Sequence, residues 1–187
     1  IRSGSIKSYA PTADGQERVM GFHLPGELLG LGAIHVGHHP CGARALETAS
    51  VCELPYHRLE ELSRRIPSLQ HQLLRIMSAE ILHDQQLLTL LGKKGAEERL
   101  AALLISLSDR YGERGFSYQE FHLSMSRSDI ANYLGLAVET VSRLFTRFQD
   151  EGLLTAQRKY IRILDLQKMR ELASYTRSKY SSSEAHA

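Results

Sequence analysis

The sequence has little of what marks several common classes of protein. It contains two cysteines in 187 residues, which does not support a disulfide scaffold and is typical of a reducing compartment. It has no apolar run long enough to span a bilayer and no secretory signal pattern, so we expect a cytoplasmic protein without a membrane partner. It also lacks a glycine-rich phosphate loop, a Gly-x-Ser-x-Gly motif and a paired-carboxylate motif, which argues against an enzyme.

Three regions follow one another along the chain. Residues 1–65 are β-like, and their strand-prone runs are Ile6–Tyr9, Arg18–Leu24, Ala43–Thr48 and Ser50–Leu54, with turns at Asp14-Gly15 and Pro25-Gly26. Residues 66–92 form a long helical pattern that begins at Pro67, reaches Leu91 and stops at Gly92. Residues 93–187 begin with a helix over Glu97–Tyr111, whose inward residues are Leu100, Leu103, Leu104 and Leu107. The pattern predicts an α+β fold, although the first region alone is also compatible with a small β-sandwich or barrel of unknown role.

The most informative stretch is SRSDIANYLGLAVETVSRLFTRF, residues 126–148. Ser126 and Asp129 have capping-box spacing at the start of a first helix. Gly135 lies where the chain must turn sharply. The second helix has an apolar face and a polar face: Val138, Val141, Phe145 and Phe148 lie inward, and Glu139, Ser142, Arg143 and Thr146 lie outward.

The outward residues suit the reading of DNA bases. Arg143 can form a bidentate pair with guanine, Glu139 can accept from a cytosine amino group, and Ser142 can bond to a base or a phosphate. The same spacing also fits an ordinary amphipathic helical hairpin whose polar face meets water.

The residues after this helix favour DNA binding. Leu153–Thr155 and Tyr160–Ile163 are short β-prone runs that flank Ala156-Gln157-Arg158-Lys159, which would form a basic tip. This pattern predicts the wing of a winged helix-turn-helix, in which Arg147, Arg158, Lys159 and Arg162 hold phosphates. The formal net charge is +2, so we expect modest nonspecific DNA affinity and selectivity that comes from base contacts.

The long helix carries a heptad seam with one acidic member. Its positions step by three and four: Leu74, Met77, Ile81, Asp84, Leu88 and Leu91. In a parallel two-fold pair, Asp84 would approach its own copy and the two carboxylates would repel. We therefore expect a weak, adjustable homodimer. The alternative is that this face packs on the β region of the same chain.

The whole arrangement resembles the CRP/FNR superfamily of transcription regulators, and within it the oxygen-responsive FNR branch. The matching stretches are GFHLPGELLG, HHP, ALETASVCELP, KKGAEERLAA, SDIANYLGLAVETVSRLFTRFQ and KYIRI. The resemblance implies a β-roll sensor domain, a dimerisation helix and a winged helix-turn-helix. It also implies that Glu139, Ser142 and Arg143 read an inverted repeat of TTGAT-type half-sites in double-stranded DNA, one helical turn apart.

The resemblance implies no cyclic-nucleotide ligand. In the cyclic-nucleotide branch a glutamate holds the ribose, and here Leu31 takes its place. An Arg-Ser pair binds the cyclic phosphate there, and Pro40-Cys41 stands in its position. Without that arginine, a buried phosphate would be uncompensated.

FNR-like regulators hold an oxygen-labile 4Fe-4S cluster on four cysteines. The resemblance makes Cys52 the counterpart of one ligand, and it has no counterpart for the other three in this sequence. The chain opens at Ile1 as if within a strand and turn, so we expect an N-terminally truncated fragment whose missing part carries those cysteines, unless this version uses no cluster. The alternative for Cys52 is a buried small hydrophobe.

Two further expectations concern loops. The resemblance implies that RNA polymerase is contacted by the Thr12–Gln16 turn and by the Tyr111–Phe121 loop with Ser3 and Ala49. Separately, one group of residues has metal-ligand chemistry and could make the chain a zinc or other transition-metal sensor: His35, His38, His39 and Cys41.

Overall fold

The computed structural model describes residues 1–173, so the serine-rich tail at Ser181–Glu184, expected to be disordered, lies outside the described part. The elements within residues 1–173 follow in this order: β1 (Ile6–Pro11), β2 (Glu17–His23), α1 (Ala33–Val36), β3 (Gly42–Ala45), α2 (Tyr56–Arg65), α3 (Pro67–Lys93), α4 (Ala96–Gly112), β4 (Glu120–His122), α5 (Arg127–Leu134), α6 (Val138–Asp150), β5 (Leu154–Gln157), β6 (Tyr160–Ile163) and α7 (Leu166–Leu172). This confirms the α+β prediction.

The chain divides into two compact units. The first contains Ile1–Lys93 and Ser124–Val138, and the second contains Lys94–Leu123 and the residues from Glu139 onward. This division places α5 with the N-terminal strands, whereas the sequence assigned it to a segment 93–187. The three predicted segments, 1–65, 66–92 and 93–187, stay a prediction.

The first unit is built on an antiparallel sheet with the strand order β2-β1-β3. Ser8 pairs with Gly21 and Tyr9 pairs with Val19, so Met20 is an extra residue that bulges out of β2. The buried apolar side chains of this part of the chain are Ile6, Val19, Phe22 and Leu24. They form the core beside the sheet. The predicted turn between β1 and β2 is present and is closed by hydrogen bonds between Thr12 and Gln16.

The sequence prediction was wrong about part of the β-like region. Ser50–Leu54 is not a strand, because Ser50 forms an isolated bridge to Ser3 and the chain then runs exposed to Pro55. The following helix α2 was missed, although its exposed side carries the ion pairs Arg64–Glu60 and Arg65–Glu61 at helical spacing. The strand expected over Ala43–Thr48 is shorter and lies at Gly42–Ala45.

Helix α3 runs from Pro67 to Lys93. The start at Pro67 was predicted correctly, but Gly92 does not end the helix, which continues one residue past it. Its seam is exposed in the single chain: Leu74 and Ile81 are each 58% exposed and Leu88 is 71% exposed. This contradicts the alternative in which the seam packs on the β region.

The second unit has a helical core and a small sheet. On α4, Leu100, Leu103, Leu104 and Leu107 are all buried, as predicted. The sheet has the order β4-β6-β5, so the predicted hairpin is extended by one strand. No helix within residues 1–173 has the length and apolar content that a membrane span requires.

Candidate DNA-binding surface

Helix α5 begins and ends as its sequence indicates. The Asp129 backbone N–H donates to Ser126 Oγ at 3.0 Å, and the Ser126 backbone N–H donates to Asp129 Oδ2 at 3.1 Å, which completes the capping box. Gly135 follows the helix with φ of 64°, a left-handed conformation that favours glycine. The short connection then leads directly into α6.

Helix α6 separates an apolar side from a polar side. Val141, Phe145 and Phe148 are buried as predicted, with at most 2% exposure. Val138 was expected to face inward, but it is 39% exposed, because it is the first residue of the helix and no preceding turn covers it. Because Phe145 and Phe148 are buried, the opposite side of α6 is the side exposed to solvent.

The free side presents the predicted base-reading residues. Glu139, Ser142, Arg143 and Thr146 are all exposed, at the i, i+3, i+4 and i+7 positions of one face. Glu139 and Arg143 are four residues apart, a spacing that permits an ion pair, yet neither forms an ion pair with any residue of the described chain. The Thr146 hydroxyl differs, because it donates to the Ser142 carbonyl oxygen at 3.3 Å.

Arg147 has a different environment from the one the sequence indicated. Its guanidinium lies 2.8 Å from Glu97 at the start of α4 and 2.7 Å from Glu151. Hydrogen bonding and charge from Glu151, with a further contribution from Glu97, raise the pKa of Arg147 above its usual value. The predicted phosphate ligand is therefore engaged by two carboxylates, and Glu97 was not singled out from the sequence.

The wing ends in a two-residue tip, since Gln157 pairs with Tyr160 across β5 and β6. Arg158 and Lys159 form that tip, which is shorter than the predicted stretch 156–159 because Ala156 and Gln157 belong to β5. Arg158 has φ of 56°, which is an unusual conformation for a residue other than glycine. Its side chain is exposed and forms no ion pair within residues 1–173. Arg162, also expected to hold a phosphate, instead pairs with Glu120 at 3.1 Å.

The predicted dimer residues lie along α3. Leu74, Ile81, Asp84 and Leu88 are exposed and Met77 is partly exposed. An apolar row of this length is unfavourable in water, and the single acidic member lies within it.

The 187 residues do not by themselves fit a 4Fe-4S cluster. Such a cluster takes four thiolates, and the chain has two cysteines, of which Cys41 is partly exposed and Cys52 is exposed. Cys52 is accessible as a ligand, so its interpretation as a buried small hydrophobe is wrong.

The metal-site alternative is also wrong. Among residues 1–173 no group of three or more His, Cys, Asp or Glu side chains could hold a metal ion. His38 instead bonds to the Val36 carbonyl oxygen at 3.1 Å, and the His39 ring fills the space beside Gly30.

The positions that the family resemblance assigns to the ribose and phosphate ligands of a cyclic nucleotide are Leu31 and Pro40-Cys41, and neither position holds an arginine. This correspondence stays a prediction. In the structure Pro40 lies beside Gly32. The nearest arginine in sequence, Arg44, is held by Glu17 through bonds of 2.9 and 2.6 Å.

The chain matches two protein families over most of its length. Residues 98–172 match the Crp-like helix-turn-helix domain, and residues 1–65 match the cyclic nucleotide-binding domain. The match to the cyclic nucleotide-binding domain concerns the fold of residues 1–65 and does not show that this chain binds a cyclic nucleotide.

Curated relatives and solved structures agree with this assignment. The chain is 53% identical over 178 residues to the fumarate and nitrate reduction regulatory protein of Escherichia coli, covering 95% of this chain and 71% of that protein. It is 55% identical over 165 residues to the transcriptional activator protein anr of Pseudomonas aeruginosa, covering 88% and 68%. The structure of FixK2 from Bradyrhizobium japonicum is similar with a TM-score of 0.81 and 30% identity, covering 94% and 86%. The chain belongs to the CRP/FNR family of transcription regulators, which bind DNA through a helix-turn-helix and are not enzymes.

Proposed function

We propose that a homodimer of this chain binds an inverted repeat of TTGAT-type half-sites one helical turn apart. Glu139, Ser142 and Arg143 read the bases. The observation that carries this proposal is that Glu139 and Arg143 share an exposed face of α6 and do not neutralise each other. Arg143 is then free to donate two bonds to guanine, and Glu139 is free to accept from cytosine.

Phosphate contacts position the helix on the duplex. Arg158 and Lys159 at the wing tip supply positive charge to the backbone, and Thr146 lies at the edge of the reading face. Arg147 can contact a phosphate only if the phosphate replaces one of its two carboxylate partners. We therefore expect Arg147 to contribute less to DNA affinity than Arg158.

The homodimer forms through the α3 seam, with Leu74, Met77, Ile81 and Leu88 against their copies and Asp84 opposing association. The exposed apolar row on α3 supports this interface.

Hydroxyl-radical footprinting of the inverted repeat tests the DNA proposal. Two protected patches, one in each half-site and related by the two-fold axis, are expected. Protection of a single patch, or equal protection of a scrambled duplex, would contradict it.

We also propose that oxygen or redox state controls this regulator. Support comes from the 53% identity to a protein named for fumarate and nitrate reduction, and from the exposed thiol of Cys52. A 4Fe-4S cluster with Cys52 as one ligand would supply the oxygen sensitivity, and it needs three thiolates that these 187 residues do not contain.

A reporter gene behind the inverted repeat tests the redox proposal in cells grown with and without oxygen. The complete gene product should change expression between the two conditions, and Cys52→Ser should abolish that change while Cys41→Ser keeps it. An oxygen response that survives Cys52→Ser would overturn the role of Cys52.

The remaining parts of the proposal concern partners and location. RNA polymerase is contacted by the Thr12–Gln16 turn and the Tyr111–Phe121 loop with Ser3 and Ala49, the regulator acts in the cytoplasm, and no cyclic nucleotide binds. Asp14→Lys should reduce transcription in vitro while leaving DNA affinity unchanged. Calorimetry with cyclic AMP should give no binding heat.

A further inference from the structure

A side chain at the end of helix α6 holds the edge of the wing. The Ala156 backbone N–H donates to Gln149 Oε1 at 3.1 Å. Ala156 lies on β5, which is an edge strand because the sheet has the order β4-β6-β5, and within residues 1–173 no strand pairs with its other side. Gln149 therefore accepts from a backbone donor that the sheet edge would otherwise leave to water.

The backbone between α6 and β5 is closed by two further hydrogen bonds. The Gly152 N–H donates to the Gln149 carbonyl oxygen at 3.0 Å, and the Leu153 N–H donates to the Phe148 carbonyl oxygen at 2.8 Å. Gly152 has φ of 70°, so the turn has the geometry of a Schellman motif. Phe148 and Leu153 are both buried, as is common on the two sides of such a turn. Gln149 thus binds the turn through its main chain and the strand through its side chain.

Both strands of the wing are held close to the tip. On the β6 side, the Leu123 backbone N–H donates to the Lys159 carbonyl oxygen at 2.6 Å. On the β5 side, Ala156 lies two residues before Arg158, so its bond to Gln149 is also near the tip. All of these residues belong to the second compact unit of the chain, together with α6 from Glu139 onward.

The hydrogen bond to Ala156 also limits what Gln149 can do at a base. Gln149 follows Thr146 by three residues, so the two lie on the same side of α6. A glutamine that reads adenine uses its amide oxygen and its amide nitrogen together. Because Gln149 Oε1 already accepts from Ala156, this two-bond contact is closed to it while the wing is held. The geometry therefore favours a role in holding the wing over a base contact.

We propose that Gln149 is a positioning residue for the DNA contact of the wing. By holding β5 against the last turn of α6, it fixes the wing tip at one position relative to the base-reading face of the same helix. Arg158 and Lys159 then lie beside the phosphate backbone when that face enters the major groove. A wing that moved freely would lose more conformational freedom on binding, so it would bind less tightly.

This inference rests on the proposed phosphate contacts of Arg158 and Lys159. It concerns where those contacts are placed, and the base contacts of Glu139, Ser142 and Arg143 do not depend on it. Loss of the Gln149 bond should therefore weaken the part of the affinity that comes from phosphate charge and leave the selectivity for bases intact.

The test measures the affinity of the full chain for the inverted repeat over a range of salt concentrations. Gln149→Met removes the acceptor and keeps a side chain of similar length and helix propensity. At low salt it should bind about three- to tenfold less tightly, and the slope of log affinity against log salt concentration should be shallower by about one unit per half-site. The ratio of affinities for the repeat and for a scrambled duplex should change by less than about twofold, because both duplexes present the same phosphates.

The matched control is Gln167→Met, the same substitution on α7. Gln167 is exposed and its amide donates to Glu171 at 2.8 Å, so the control also loses one surface hydrogen bond and should keep the wild-type affinity and salt slope. Hydrogen exchange at the Ala156 amide should accelerate in Gln149→Met but not in Gln167→Met. Gln149→Glu keeps an acceptor for that amide and should retain the wild-type exchange rate. Gln149→Ala removes the same acceptor and decides the matter if Gln149→Met does not fold.

A double-mutant cycle separates action through the wing from a direct contact of Gln149 with DNA. In the Arg158→Ala/Lys159→Ala chain, adding Gln149→Met should cost less than about twofold in affinity. In the Arg143→Ala chain, which keeps the wing tip, it should cost the full three- to tenfold, or about as much as in the wild type.

The outcomes distinguish the positioning role from the proposed phosphate contacts. If Arg158→Ala/Lys159→Ala keeps the wild-type salt slope, the proposed phosphate contacts fail and this inference fails with them. If that slope is shallower but folded Gln149 variants bind like the wild type, the positioning role is overturned. An equal loss of affinity on Gln149→Met with and without the tip residues would overturn it as well.

Discussion

Replacing Asp84 with alanine should strengthen the homodimer. Without the repulsion between the two copies of Asp84, the free energy gained by burying the exposed seam of α3 is close to the free-energy cost of association, so a small change shifts the equilibrium. Fully burying a leucine or isoleucine side chain stabilises by about 1.5–3 kcal/mol. Leu74, Ile81 and Leu88 are 58%, 58% and 71% exposed, so the six side chains of a dimer supply roughly 6–12 kcal/mol. The loss of translational and rotational freedom on association costs about 4–15 kcal/mol. Because this cost is similar to the gain from burying the seam, the dimer is only marginally stable.

The repulsion between the two copies of Asp84 is comparable with that margin. Two carboxylates roughly 4–8 Å apart, at an effective dielectric constant of roughly 20–40, repel by about 1–4 kcal/mol. Its removal should lower the dimer dissociation constant by roughly five- to a thousandfold.

Sedimentation equilibrium of the full chain in air measures this change. Asp84→Ala should be largely dimeric and bind DNA at concentrations where the wild-type chain is mostly monomeric. Added salt should strengthen the wild-type dimer but not the variant, because salt screens the repulsion. Glu80→Ala removes the same charge from an exposed position off the seam and should change the dissociation constant by less than about threefold. An Asp84→Ala chain that remains monomeric would refute the reasoning.

Three further predictions concern the core, the wing and pH. Phe148→Ala should lower the free energy of unfolding by about 3–5 kcal/mol, since Phe148 is fully buried, whereas Phe116→Ala, at 61% exposure, should cost below about 1 kcal/mol; equal costs in denaturant titrations would contradict the assigned core. Arg158→Gly should raise stability by about 1 kcal/mol, by relieving the positive φ, and reduce the salt dependence of DNA binding by about one unit of slope; Arg158→Ala should show the second effect without the first. Hydrogen bonds from Lys7 and Ser126 outweigh burial and lower the pKa of Asp129 below its usual value, so its stabilisation is present above the unfolded pKa and is lost as pH falls through the lowered folded pKa; the difference in unfolding free energy between wild type and Asp129→Asn should therefore shrink as the solution is acidified, and a constant difference would count against the Lys7 ion pair.

Much of the fold could be predicted because its signals are local. The capping box at Ser126, the glycine after α5 and the periodic leucines of α4 each depend on neighbours within a few residues. The hairpin at Arg158 and Lys159 was likewise predicted from two β-prone runs around a short basic tip.

The sequence predictions were wrong or incomplete where contacts between residues far apart in the sequence determine the structure. Ser50–Leu54 has strand-like composition, but a strand needs a partner, and one bridge to Ser3 is all it has among the described residues. Arg147 has the charge of a phosphate ligand, but Glu97 lies fifty positions away in the sequence and pairs with it. Asn132 contacts a strand more than a hundred positions earlier, which single-sequence periodicity cannot indicate.

The most direct test of the whole account is the ratio of affinities for the inverted repeat and for a scrambled duplex of the same length, measured by fluorescence anisotropy at one salt concentration. We expect the wild-type chain to prefer the inverted repeat by about a thousandfold or more. Arg143→Ala should remove about 1–3 kcal/mol of that preference per half-site while leaving affinity for the scrambled duplex nearly unchanged. Equal affinity of the wild-type chain for both duplexes, or an Arg143→Ala chain as selective as the wild type, would contradict the account.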